Sequence, residues 1–110
     1  MKRTRPASLF RSGHRDDNHE QLVEFMALLG GEVIDLSKVR SGCPDVLWGR
    51  QGQSILVEIK TRDGSLTPAQ KRFHSEWRGG PLIVVTCEAD VLAAVETLTK
   101  KQGIRTAVRG

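Results

Sequence analysis

Three residues stand at a spacing suited to hydrolytic chemistry: Asp45, Glu58 and Lys60. Asp45 follows Pro44 at the head of the apolar run Val46-Leu47-Trp48, while Glu58 and Lys60 close the run Ser54-Ile55-Leu56-Val57-Glu58-Ile59-Lys60. Between the two runs, Arg50-Gln51-Gly52-Gln53 carries the glycine of a tight hairpin turn. Strands folded about Gln51-Gly52 bring position 45 opposite roughly position 58, because both lie six or seven residues from the turn. Two carboxylates thirteen positions apart thereby become cross-strand neighbours. Lys60, two residues beyond Glu58, projects from the same face of the strand.

Paired carboxylates repel one another unless a cation sits between them, and hard oxygen ligands suit Mg²⁺ or Mn²⁺. Such an ion polarises a phosphodiester oxygen and lowers the pKa of a bound water. A nearby ammonium steadies developing negative charge or places the attacking water. Ile59 turns its side chain to the opposite face, yet its backbone carbonyl could complete the metal shell. Taken alone, Glu-x-Lys is equally an ordinary surface pair on an edge hairpin. Here Leu56-Val57 sets it on a strand of buried character, where a solvated pair does not normally sit.

The elements that must hold these groups follow from periodicity and punctuation. Residues 1–15 lack a period and read as a basic, flexible arm, leaving 16–110 as a single domain. A helix begins near Asp16 or Asp17, carries the stripe Leu22, Val23, Phe25, Met26 and Leu29, and ends at Gly30-Gly31. Glu32 to Leu36 alternates as a strand, and the two strands of the hairpin follow the loop Ser37–Pro44. Thr67 caps a second helix with Pro68 at its first position, running to about Arg78. Leu82 to Thr86 is expected as a buried strand, Glu88 or Asp90 to about Lys100 as an amphipathic helix, and Arg105 to Val108 as a short final strand. This order predicts an α/β fold, a mixed sheet flanked by helices.

Gly42-Cys43-Pro44-Asp45-Val46-Leu47, then Ile55 to Lys60, then Leu66-Thr67-Pro68-Ala69-Gln70 with Phe73-His74 and Trp77, resembles the stand-alone VRR-NUC nucleases. These are small phage and bacterial members of the PD-(D/E)XK superfamily, similar to Holliday junction resolvases. The resemblance covers roughly residues 16–95. It implies a restriction-endonuclease-like αβββαβ core, Asp45 and Glu58 as metal ligands, and Lys60 as the catalytic lysine. The departure lies in the first helix, where many relatives place an acid that completes the metal site. Here His19 falls at that position with Glu20 beside it, and the sequence leaves open which of them, if either, contributes.

Gln70 and His74 lie four apart on one helix face. Gln70 is a candidate to orient a water or a phosphate oxygen. His74 either approaches a phosphate or sits partly buried beside Phe73 and Trp77. Arg40, Arg50, Arg62, Lys71 and Arg72 are read as flanking the site and contacting phosphates, which position a duplex without reading its bases. Trp48 and Trp77 are expected to pack in the core rather than stack on bases.

A net charge of +4 and a pI near 9.5 suit a polyanionic partner. Cys43 and Cys87, far apart and outside any Cys-x-x-Cys spacing, argue against a disulfide framework or structural zinc. A reducing cytoplasm, of a bacterial cell or a phage-infected host, is the expected setting, and Cys87 reads as a small buried hydrophobe. No apolar run approaches a membrane span.

The expected activity is Mg²⁺- or Mn²⁺-dependent endonucleolytic cleavage, structure-specific on branched DNA, by a homodimer whose two sites act on two strands; the expected partner is branched or duplex DNA. The alternative is a nucleic-acid-binding protein with this fold and a degenerate, non-hydrolytic site. A sequence-specific restriction enzyme is disfavoured, because base readout normally needs additional loops or helices that reach into a groove.

Overall fold

The computed structural model describes the backbone of residues 15–109 and the side chains of residues 18–101. The expected basic arm lies outside the described residues but for Arg15, which opens the first helix, α1 (Arg15–Leu29). There follow β1 (Glu32–Asp35), β2 (Val46–Arg50), β3 (Gln53–Ile59), α2 (Pro68–Glu76), β4 (Leu82–Val85) and α3 (Glu88–Arg109). The strands form one sheet in the order β1-β2-β3-β4, antiparallel up to β3 and parallel between β3 and β4. The result is the expected mixed α/β sheet flanked by helices.

Strand alternation divides the sheet into two unlike faces. On one, Val46, Trp48, Ile55, Val57 and Val85 pack against Leu22 and Met26 of α1 and Val91 and Leu98 of α3. Trp48 is wholly buried there and its indole N–H donates to the Gly30 carbonyl at 2.9 Å, tying the end of α1 to β2. The other face presents Leu56 and Glu58, the latter reached by side chains of α2. At the hairpin, Gln51 and Gly52 both adopt positive φ, 50° and 80°, as a two-residue turn matched to strand twist requires. The register pairs Val46 with Val57, and one further step sets Asp45 opposite Glu58.

Several expectations are corrected. The final helix continues to Arg109 where a short strand was expected. Gly103 is the one breaker in its second half, and a lone glycine costs a helix only about 1 kcal/mol. β4 is a sheet edge rather than a fully buried strand, so Val85 is buried while Val84 is exposed. Cys87 lies past the end of β4 and is exposed, not a core residue. Trp77 caps α2, is 39% exposed and stacks its ring on Phe73 at 5.5 Å between centroids, outside the core. Trp48 alone of the two indoles packs centrally.

Candidate active site

A cavity of about 580 Å³ opens at the end of the sheet away from the hairpin turn. Its walls come from the end of β3 (Glu58, Ile59, Lys60), from Asp45 before β2, from Asn18 and His19 of α1, and from the loop that leads to Gln70 of α2.

Asp45 is held by its loop and by the end of the strand ladder. Gly42, with φ of +85°, lies so close to α2 that a Cβ there would meet the Ala69 carbonyl oxygen at 2.7 Å. Only glycine lets the loop before Asp45 press on that helix. The Asp45 carbonyl accepts from Leu36 N–H at 2.8 Å, and its side-chain Oδ2 accepts from Ile59 N–H at 2.7 Å. In an antiparallel ladder the N–H and C=O of one residue leave on the same side. The Ile59 carbonyl is therefore turned toward Asp45, where β2 no longer runs beside it.

Glu58 is the one charged residue fully buried among the described residues, at 1% exposure. Its Oε2 accepts from Gln70 Nε2 at 3.0 Å. Its Oε1 lies 3.5 Å from His74 Nε2, and neither of these two buried atoms has a hydrogen-bond partner. Burial above all, and then the adjacent Asp45 carboxyl, push the Glu58 carboxyl up to about 8, with Lys60 pulling the other way. Burial, and then the Lys60 charge, hold the His74 imidazole below its usual value. Both shifts disfavour the charged forms, so they oppose an ion pair between His74 and Glu58.

Gln70 arrives by way of a capping box. Thr67 Oγ1 accepts from Gln70 N–H at 3.1 Å, and Gln70 Oε1 accepts from Thr67 N–H at 2.9 Å. With Nε2 given to Glu58, both ends of the Gln70 amide are engaged by protein. His74 points at Glu58 from the same helix face, one turn on, the partly buried placement rather than a phosphate-facing one.

His19 lines the cavity, whereas Glu20 is exposed and does not. Among the described residues no three His, Cys, Asp or Glu side chains cluster closely enough to cage a metal. Asn18, not among the residues singled out from the sequence, donates from Nδ2 to the Lys60 carbonyl at 3.2 Å. Counting back in fours from Met26 through Leu22 reaches position 18, so the core-facing stripe itself pointed there. Cys43 sits half-buried nearby, its thiol pushed up by burial, which leaves it a poor nucleophile.

The basic candidates separate. Arg62 is exposed on the loop between the cavity residues Thr61 and Gly64, and Lys71 and Arg72 are exposed on α2. Arg40 places its guanidinium over the Phe73 ring, 5.7 Å from the centroid. Arg50 does not flank the site. It lies at the turn end of β2, half-buried over the Trp48 ring at 5.4 Å.

A buried carboxyl with an unpartnered oxygen, facing a second carboxyl and a backbone carbonyl, is a hard-oxygen donor set that fits a divalent cation. Asp45, Glu58 and the Ile59 carbonyl are the groups that would hold it. A family model of the VRR-NUC domain matches residues 10–91, from ahead of α1 to the first turn of α3. The chain belongs to the VRR-NUC domain family. Membership implies a nuclease, and the match takes in every wall of the cavity. No curated protein and no solved structure matches the chain. Among the described residues of this VRR-NUC domain, no helix is long and apolar enough to cross a membrane.

Proposed function

We propose that this VRR-NUC domain is a Mg²⁺- or Mn²⁺-dependent DNA endonuclease of the PD-(D/E)XK type, hydrolysing phosphodiester bonds at the cavity of Asp45, Glu58 and Lys60. The observation that carries the reading is Glu58 itself, buried with an unpartnered oxygen opposite Asp45 and two residues before a lysine on the same face. A divalent ion held by Asp45, Glu58 and the Ile59 carbonyl would supply a polarised phosphate and an acidified water.

The chain's own groups do the rest. Lys60 presents an ammonium to the non-bridging phosphate oxygens and stabilises the charge that grows there. Gln70 fixes the rotamer of Glu58 from α2, so its role is to orient a ligand group rather than to bind water. His19 lines the cavity from α1, where its imidazole is a candidate to complete the metal shell or to meet the substrate backbone. Arg62, Lys71 and Arg72 are exposed to contact phosphates and carry the salt-dependent part of binding. Branched DNA as substrate, and a homodimer that cuts two strands, follow from the resemblance to junction-resolving members of the superfamily.

One observation favours a second reading, a DNA-binding domain without hydrolysis: the absence, among the described residues, of a third acidic or imidazole group gathered with Asp45 and Glu58. A cleavage panel decides between them. Wild type and Lys60→Ala are incubated with four-way junctions, flaps, splayed arms and plain duplex in Mg²⁺ and in Mn²⁺. Cleavage of at least one structure by wild type, lost in Lys60→Ala, is expected. Equal activity in both proteins would sink the assignment, and binding without cleavage by wild type would favour the second reading.

A further inference from the structure

We infer that Asn18 is a positioning residue for Lys60, strapping the lysine's backbone to α1 so that its ammonium is held in the cavity. The inference rests on the nuclease reading and adds to it a residue on the helix whose contribution was open. Lys60 stands one residue beyond the last residue of β3, where the ladder ends and an exposed loop begins. Its N–H still donates to the Val85 carbonyl at 3.0 Å. Its carbonyl has left the ladder and accepts from Asn18 Nδ2 at 3.2 Å, across 42 residues of chain. The backbone of Lys60 is thus gripped on both polar groups, one by β4 and one by α1.

The strap is rigid at its far end. Leu22, one turn after Asn18, and Met26, one turn further, are both buried in the core, which fixes α1 independently of the amide. A carbonyl acceptor can be served only by the amide nitrogen, so the orientation of the Asn18 side chain is determined. A short polar side chain in the first turn of a helix tends to bond its own backbone; here it reaches outward to the end of another element instead. A reacting group displaced by about 1 Å loses on the order of 10²-fold in rate, so a bond that fixes the root of a long, flexible lysine acts on rate more than on binding.

The test compares Asn18→Ala and Asn18→Asp with wild type in the full-length chain. Asp keeps the size of Asn and suits the first turn of a helix, but it cannot donate. Two readouts are taken: amide hydrogen exchange at Lys60 and Thr61, and kcat and KM on the best substrate of the cleavage panel. The strap predicts exchange at Lys60 about tenfold faster in both variants, with the β2–β3 amides unchanged. It also predicts kcat down about 10–100-fold at unchanged KM. Unchanged exchange at Lys60 in the variants would overturn it. So would an Asn18→Asp protein as active as wild type, since position 18 would then be serving as an acceptor. If wild type cuts no DNA, the nuclease reading falls, while the exchange measurement still decides whether Asn18 orders Lys60.

Discussion

The two faces of β3 are equally buried and chemically opposite. Ile55 and Val57 enter an apolar core between the sheet and the helices α1 and α3. Leu56 and Glu58 lie on the other face, where Gln70 and His74 of α2 reach Glu58, and Glu58 is as deeply enclosed as its apolar neighbours. Burial on the first face is favourable in itself, at roughly 25 cal/mol per Å² of apolar surface removed from water. On the second it opposes ionisation, and the strand tolerates it because Gln70 donates to the carboxyl and the carboxyl keeps its proton to high pH. One strand thus carries apolar packing on one side and a buried, ionisable carboxyl on the other.

That division can be broken from either side. The largest effect is expected for Asp45→Ala, which should lower metal-dependent cleavage by about 10³-fold, the scale of removing a principal electrostatic stabiliser. Its melting temperature should stay within a few degrees of wild type. Loss of folding instead of activity, read by circular dichroism, would mean that Asp45 belongs to the scaffold. On the other face, Ile55→Ala should destabilise by about 2–5 kcal/mol in urea unfolding while leaving kcat/KM per folded molecule intact.

A subtler effect comes from pH. Glu58 titrates near 8 in the folded protein against an ordinary carboxylate value of 4.5. The folded state therefore binds more protons than the unfolded state between these values, and stability falls as pH rises through that window. Metal-free wild type should lose several degrees of melting temperature between about pH 5 and pH 9, and Glu58→Gln should flatten that slope. A wild-type slope that survives the substitution would place the titrating group elsewhere. The smallest effect is expected for Gln70→Ala, which leaves both carboxylates in place but frees Glu58 to rotate. Mn²⁺ affinity should weaken about 10–100-fold, with a smaller change in stability.

Much of this was legible in the sequence because a tight turn and a period of two leave little freedom. Gln51-Gly52 fixes the register, and the register alone sets Asp45 opposite Glu58 with Lys60 on the same face. Thr67-Pro68 likewise announces α2 and so places Gln70. What was not legible depends on which element covers which face. Cys87 and Val84 look like core residues by type, yet β4 is the sheet's edge. Asn18 reaches a carbonyl 42 residues away, a pairing that no local pattern encodes, although the stripe through Leu22 and Met26 aims at its position. Arg50 sits at the turn end of its hairpin, some 16 Å from Asp45 at about 3.3 Å per strand residue, a separation that the position of Gln51-Gly52 already implies.

The central claim is that Asp45 and Glu58 together form a cation site built on a buried carboxyl, and calorimetry reads it directly. Mn²⁺ is titrated into wild type and Asp45→Ala at about pH 7, in two buffers of different ionisation enthalpy. Binding to wild type should release about one proton per ion as Glu58 gives up its proton to the metal, and Asp45→Ala should show neither the binding nor the release. Equal binding by both proteins, or no binding by wild type, would contradict the account.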